Sequence, residues 1–386
     1  MSSPTTFYKR PLPAGLVAFA SAEGRALFQE ALGAGNMAGY FALAEQFHTQ
    51  ADPAFCGLGT LVVVLNALSI DPGPQRPWKG PWRWFTEEHL DCCRPLAEIQ
   101  RSGLTIPQLA CLGRCNGARV EVHHAQAETA ESFRQAVRES ASTPGEPQLV
   151  VAYDRATLGQ TGTGHFSPVG GYHAGRDLVL ILDVARFKYP PHWVPLAELF
   201  HAMLPVDPET RRSRGFLRFW RRAEAAALCS LQATDANWRS LVCDLLNTAA
   251  PAAASIEQLL PQLLRALPPQ ALTLVKSRAF DGAAPPELAS AQQALRQDLE
   301  STELLQLLRR IIPSSEPELD LAAVALLLLA LPASRFHMLS PSLREQLTAL
   351  QQLAPLPASV QAQVEHLRTQ AESLEESSSC CAAESV

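Results

Sequence analysis

Lysine is nearly missing from this chain. Lys9, Lys79, Lys188 and Lys276 are the only four in 386 residues, and the formal charge is −6. A chain with no basic excess lacks the electrostatic footprint of a nucleic-acid binder. Long apolar runs are lacking too. The nearest, LAAVALLLLAL from Leu321 to Leu331, is bounded by Asp320 and Pro332. It falls short of the roughly 18 apolar residues of a membrane span and reads as a buried helix. The opening MSSPTTFYKRPLP has no continuous apolar core, so we expect no secretory leader and no membrane association. The nine cysteines are odd in number and sit in a long chain, which argues against a disulfide framework. The expectation is a cytoplasmic protein with reduced thiols. There is no internal repeat, and no histidine pair completes a zinc signature.

What is present is a folded, non-membrane composition: 47% hydrophobic, 18% charged, with 30 prolines. The length suggests two domains. Near residue 225 the character changes. Aromatics, glycines and mixed patterns precede that point, as in an α/β or α+β domain, whereas Leu, Ala, Gln and Glu dominate after it. SIEQLLPQLLRAL from Ser255, ELLQLLRRII from Glu303 and the Ser340-Pro341 start carry helical spacing or capping signals, with prolines between them. The division read from this is a catalytic domain over 1–222, a helical domain over 223–374 and a small, polar, disordered tail over 375–386.

QADPAFCGLGT, Gln50 to Thr60, places one cysteine after an Asp-Pro turn signal and among glycines. Apolar residues then recur at Leu58, Leu61, Val62, Leu65 and Leu68, the pattern of a helix with one buried stripe. Cys56 therefore stands at a helix N-terminus, where unpaired N–H groups and the dipole favour the thiolate that attacks carbonyls. Gln50, on the incoming loop, can donate its amide to an oxyanion formed beside the sulfur. The alternative is an ordinary buried cysteine at a helix start.

A nucleophilic thiol needs a base and a group that orients the base. Phe166–Tyr172 and Leu178–Val184 read as two strands joined by a turn at His173-Ala174-Gly175-Arg176-Asp177. In that hairpin His165 begins one strand and Asp183 ends the next, nearly opposite each other, as an imidazole held by a carboxylate requires. Taken singly, His165 reads equally as a core or surface histidine and Asp183 as a strand end.

The order Gln, Cys, His, Asp resembles the papain-like cysteine enzymes. More narrowly, QADPAFCGL, RWFTEEHLDCC, CLGRCNGARVE, TGTGHFSPVGGY and ILDVARFKYPPHWVPL resemble the phytochelatin synthase family over residues 5 to 220. The resemblance implies an α+β fold, with the helical and antiparallel-sheet lobes of a papain-like peptidase, followed by a mainly α-helical C-terminal domain. It implies that Cys56 cleaves the Cys–Gly bond of glutathione, releases glycine and passes the γ-Glu-Cys unit to another glutathione. It makes His165 the general acid/base, Asp183 its orienting carboxylate and Gln50 the oxyanion donor. A peptidase of glutathione or its S-conjugates, without chain growth, is the alternative; a non-catalytic thiol-rich metal buffer is a third reading.

Glutathione carries two carboxylates, which arginine binds through its planar fork. Arg186 and Tyr189, after Asp183, Arg214 in SRGFLRF, and Gly164 beside His165 are the candidate substrate contacts; ordinary intradomain ion pairs would explain the arginines equally. Cys92-Cys93 and Cys111-x-x-x-Cys115 have soft-metal ligand character, although adjacent cysteines rarely share one ion. We expect no organic cofactor. The resemblance implies activation by Cd, Zn or Cu, chiefly as metal–glutathione thiolates that serve as acceptor. The partners expected are glutathione and phytochelatin peptides, with a homodimer as a compatible assembly.

Overall fold

The computed structural model describes residues 8–46, 48–72, 82–222, 228–231, 253–266, 275–277, 286–311, 320–332, 336 and 339–377. The chain divides into two compact units: 1–72, 84–90 and 96–222 form the first, and 73–83, 91–95 and 223–386 the second.

The first unit is built on a seven-stranded sheet in the order β1-β6-β5-β4-β3-β7-β2, every pair antiparallel. The strands are β1 (Val17–Ala18), β2 (Ala118–His124), β3 (Gln148–Asp154), β4 (Gly164–His173), β5 (Leu178–Ile181), β6 (His192–Pro195) and β7 (Gly215–Arg221). The helices are α1 (Ala22–Gly33), α2 (Tyr40–Ala44), α3 (Cys56–Ala67), α4 (Leu96–Ser102), α5 (Ile106–Cys115), α6 (Ala130–Ser142) and α7 (Leu196–Met203). The sheet and helices together are an α+β architecture. Strands β3 and β4 are buried almost throughout, as central strands covered on both faces should be.

Helix α3 departs from the one-stripe pattern. Every residue from Gly57 to Leu65 is buried, because α3 packs against β4 and α5 at once. The glycines are what permit this: a Cβ on Gly57 would lie 2.8 Å from the Leu104 side chain. A helix apolar all round is a core helix, so the cysteine at its first turn is held by buried structure rather than by a surface element.

The second unit pairs β8 (Cys229–Leu231) with β9 (Val275–Ser277) and adds helices α8 (Ile256–Ala266), α9 (Pro286–Glu300), α10 (Glu303–Ile311), α11 (Leu321–Ala330), α12 (Pro341–Leu350) and α13 (Ala358–Ser377). The leucine-rich α11 is mostly buried and its start is capped by Asp320. Ser340 caps α12, and Pro261 lies inside α8 instead of ending it. Helix α13 runs to Ser377, into the segment expected as a tail; Cys380 and Cys381 lie outside the described residues. No helix among the described residues is long and apolar enough to cross a membrane.

Glycine at position 215 is required by the sheet. A Cβ there would lie 1.9 Å from the His123 carbonyl oxygen on the neighbouring β2. Gly215→Ala should force the two strands apart and lower stability by about 1–3 kcal/mol. An unchanged thermal midpoint would contradict this packing.

Candidate active site

β4 and β5 form the antiparallel hairpin, with an irregularity between Val169 and Gly171. It places His165 near the start of β4 and Asp183 just past the end of β5. His165 Nε2 donates to Asp183 Oδ1 at 2.9 Å, and the two residues are 5% and 0% exposed. With Nε2 engaged there, Nδ1 is left for Cys56, whose thiol hydrogen-bonds the His165 side chain. The Phe166 backbone N–H points at the same sulfur.

Asp183 is the most heavily satisfied group. Its Oδ1 also accepts from Arg155 Nη2 at 2.9 Å and from the Ala185 N–H at 2.9 Å, and its Oδ2 accepts from Arg155 Nη2 at 2.7 Å. Arg155 is held in turn: Nη1 donates to Gln160 Oε1 at 2.6 Å, and the guanidinium lies 5.2 Å from the centroid of the Tyr189 ring. Gln160 Nε2 donates to His192 Nε2 at 3.0 Å, and His192 Nδ1 donates to the Pro190 carbonyl at 2.8 Å. Tyr189 Oη accepts from the Thr161 N–H at 2.8 Å, which ties down the loop before His165.

This arrangement sets the charge states. Burial would push the Asp183 carboxyl up, but the charge and hydrogen bond of His165, with Arg155 and His192, hold it well below the usual carboxylate range. Burial alone would lower the His165 pKa. The charge of Asp183 and the bonds to Asp183 and Cys56 outweigh burial and the repulsion of Arg155, so it is raised. Burial likewise opposes ionisation of Cys56, yet the hydrogen bond and charge of His165, the Phe166 N–H and Arg155 bring the thiol below its ordinary value. Both shifts run in the direction of a thiolate–imidazolium pair.

The pair opens on a cavity of about 470 Å³. One wall is the turn before α3 and the segment Arg101–Ile106; the other includes Gly164, Asp207, Glu209 and Arg214. Arg214 packs on Gly164, where a Cβ would lie 3.4 Å from its Nε, and Arg214 Nη1 donates to the Pro205 carbonyl at 2.9 Å. No carboxylate among the described residues pairs with Arg214 or Arg101, and no cation among them pairs with Asp207.

The remaining expected residues are placed differently. Gln50 is buried, with Nε2 donating to the Asp52 and Pro53 carbonyls at 2.8 and 3.1 Å and Oε1 without a partner. In this state its amide hydrogens face the turn leading into Cys56. Arg186 does not reach the Cys56 cavity; it lines a separate one of about 280 Å³ with Lys9, Tyr40 and Leu182, and its buried Nε has no partner. Tyr189 braces Arg155 and Thr161 and does not line the Cys56 cavity. Cys111 and Cys115 are buried on α5. Cys92 and Cys93, in the segment grouped with the second unit, are also buried. All four are disulfide-bonded, contrary to the expectation of reduced thiols. Cys56 and Cys229 are the free thiols among the described residues.

Arg155, Gln160 and His192 escaped the sequence reading. Each is polar and carries no periodic signal, and only the three-dimensional network around Asp183 sets them apart. An arginine directly after the strand-like run QLVVAYD was the available hint.

A cysteine hydrogen-bonded to a histidine that a buried carboxylate orients, open to a cavity with charged groups on its wall, is chemically a site for acyl transfer through a cysteine nucleophile. The chain belongs to the phytochelatin synthase family, whose family model matches residues 7–216. It is 48% identical over 278 residues to glutathione gamma-glutamylcysteinyltransferase 1 of Triticum aestivum, covering 70% of this chain and 55% of that one. The corresponding figures are 54% over 211 residues for enzyme 3 of Lotus japonicus, covering 54% and 43%, and 42% over 245 residues for the Schizosaccharomyces pombe enzyme, covering 64% and 58%. The chain spans about half the length of the curated relatives it matches.

Two outcomes are expected of this geometry. The rate of Cys56 alkylation should rise with pH through a midpoint below that of an ordinary thiol, and Asp183→Asn should move the midpoint upward by removing the charge that keeps His165 protonated; an ordinary midpoint in the wild type would contradict the ion pair. Arg155→Met leaves a buried carboxylate short of its cation and should cost about 3–5 kcal/mol in denaturant unfolding. A loss below 1 kcal/mol would contradict its place in the network.

Proposed function

We propose that this protein is a glutathione γ-glutamylcysteinyltransferase working on a papain-like catalytic scaffold. The observation that carries the reading is the Cys56–His165–Asp183 line opening on a cavity whose Arg214 and Asp207 lack charge partners. A γ-glutamyl head presents a carboxylate and an ammonium on one carbon, and these two residues are its electrostatic complement. Arg186, in its own cavity, remains a second candidate for a carboxylate.

The Cys56 thiolate attacks the carbonyl of the Cys–Gly bond. The oxyanion is received by N–H groups at the start of α3 and by one hydrogen of Gln50 Nε2 turned from its resting carbonyls. His165 gives its proton to the glycine nitrogen, the C–N bond breaks and glycine leaves, so γ-Glu-Cys remains as a thioester. The amine of a second glutathione then attacks the thioester carbonyl, His165 accepts its proton, and Cys56 departs as thiolate with a peptide bond formed. The acceptor competes with water through its effective molarity at the site. A soft metal enters as substrate, joining glutathione thiolates into the acceptor. A metal on Cys92, Cys93, Cys111 and Cys115 would first require their reduction. The place of action on this reading is the cytoplasm.

The test is a product analysis of purified protein with glutathione, with and without Cd. Glycine release together with (γ-Glu-Cys)n-Gly chains that lengthen when Cd is present is the expected result, and Cys56→Ser should abolish both. Glycine release with free γ-Glu-Cys and no chain growth would favour the peptidase reading.

A further inference from the structure

The turn that carries Gln50 is pinned from three sides. The Gln50 backbone N–H donates to the Val184 carbonyl at 3.1 Å, which links it to the strand exit carrying Asp183. The next amide, Ala51 N–H, donates to both oxygens of Glu87 at 3.2 and 3.1 Å. Glu87 is 6% exposed, comes from a short 3-10 turn at Glu87–His89, and its Oε1 also accepts from His48 Nε2 at 2.9 Å. None of these groups lines the Cys56 cavity.

The second glycine of CGLGT belongs to the same contact. A Cβ on Gly59 would lie 3.2 Å from both Gln50 Cβ and Glu87 Oε1. Glycine at that point of α3 therefore lets the nucleophile's helix, the Gln50 loop and the Glu87 carboxylate close on one another. The Gln50 side chain is anchored through Nε2 alone, on the Asp52 and Pro53 carbonyls, while its buried Oε1 has no partner among the described residues, so the position of the amide rests on the loop backbone. A buried carboxylate is costly unless it is paired and hydrogen-bonded, and among the described residues the side-chain partners of Glu87 are His48 and Ala51, on the loop 48–51.

We infer that Glu87 is a positioning residue: by fixing the loop backbone at Ala51 it keeps the Gln50 amide within a side-chain turn of the tetrahedral oxyanion that forms beside Cys56. The inference deepens the proposed function and rests on its oxyanion step, though not on the identity of the substrate. Two probes of Cys56 separate it from a merely structural role. Acylation by p-nitrophenyl acetate passes through an oxyanion; alkylation by iodoacetamide forms none.

Glu87→Ala should slow acylation by about 10–100-fold, less than the roughly 100–1000-fold of losing an oxyanion donor outright, and leave alkylation within about twofold, since His165 and Asp183 are untouched. Glu87→Gln keeps an acceptor for Ala51 N–H and should fall between, which keeps the test open if the alanine variant does not fold. In a Gln50→Ala background either change should add less than about twofold, because its route of action is gone. Equal losses in both reactions, multiplicative losses with Gln50→Ala, or unimpaired acylation would each overturn the inference. If wild type reacts with both probes yet releases no glycine from glutathione, the substrate assignment fails and the role of Glu87 is still decided by the ratio.

Discussion

The carboxylate of Asp183 is the group around which the catalytic unit is arranged. It is fully buried, and a bare charge there would be prohibitively unfavourable; two bonds from Arg155, one from His165 and one from a backbone amide stabilise it. Because those partners are fixed, the charge is fixed, and it favours a proton on the imidazole and, through that, ionisation of the thiol. Arg155 opposes protonation of His165 while it helps both Asp183 and Cys56 ionise. The chain resolves this by putting Asp183 in direct hydrogen bonds with both cations.

The other half of the constraint is the approach of α3. A helix buried from Gly57 to Leu65 and packed against β4 and α5 presents its N-terminus to the site with little freedom to move. Gly57 admits Leu104, and Gly59 admits Gln50 and Glu87. The small residues around Cys56 are thus packing requirements, and they bring the loop before Cys56, with its buried Gln50, into register with the strand exit carrying Asp183 through the Gln50–Val184 bond.

Much of this was legible in the sequence, for physical reasons. Cys56 announced itself because turn residues preceded it and helical apolar spacing followed. His165 and Asp183 could be set opposite each other because a hairpin fixes pairing by counting from its turn. What could not be read was long-range. The buried stripe of α3 proved to be the whole circumference, since local spacing does not report how many neighbours a helix has. Arg186 follows Asp183 closely in sequence but lines a different cavity, whereas Arg155, 28 positions from Asp183, reaches it directly. Tyr189 braces rather than lines the Cys56 cavity, and the amide hydrogens of Gln50 rest on backbone carbonyls. Polar residues carry no periodic signal, so only the fold can say which of them meet.

The account turns on a thioester at Cys56, and its direct test is the mass of the protein quenched in acid during turnover with glutathione. Peptide mapping should locate a γ-Glu-Cys adduct on Cys56, resistant to a phosphine reductant, cleaved by hydroxylamine, and formed with an equivalent of glycine released. A Cys56 found only as a mixed disulfide with intact glutathione, lost on reduction and with no glycine released, would contradict the account.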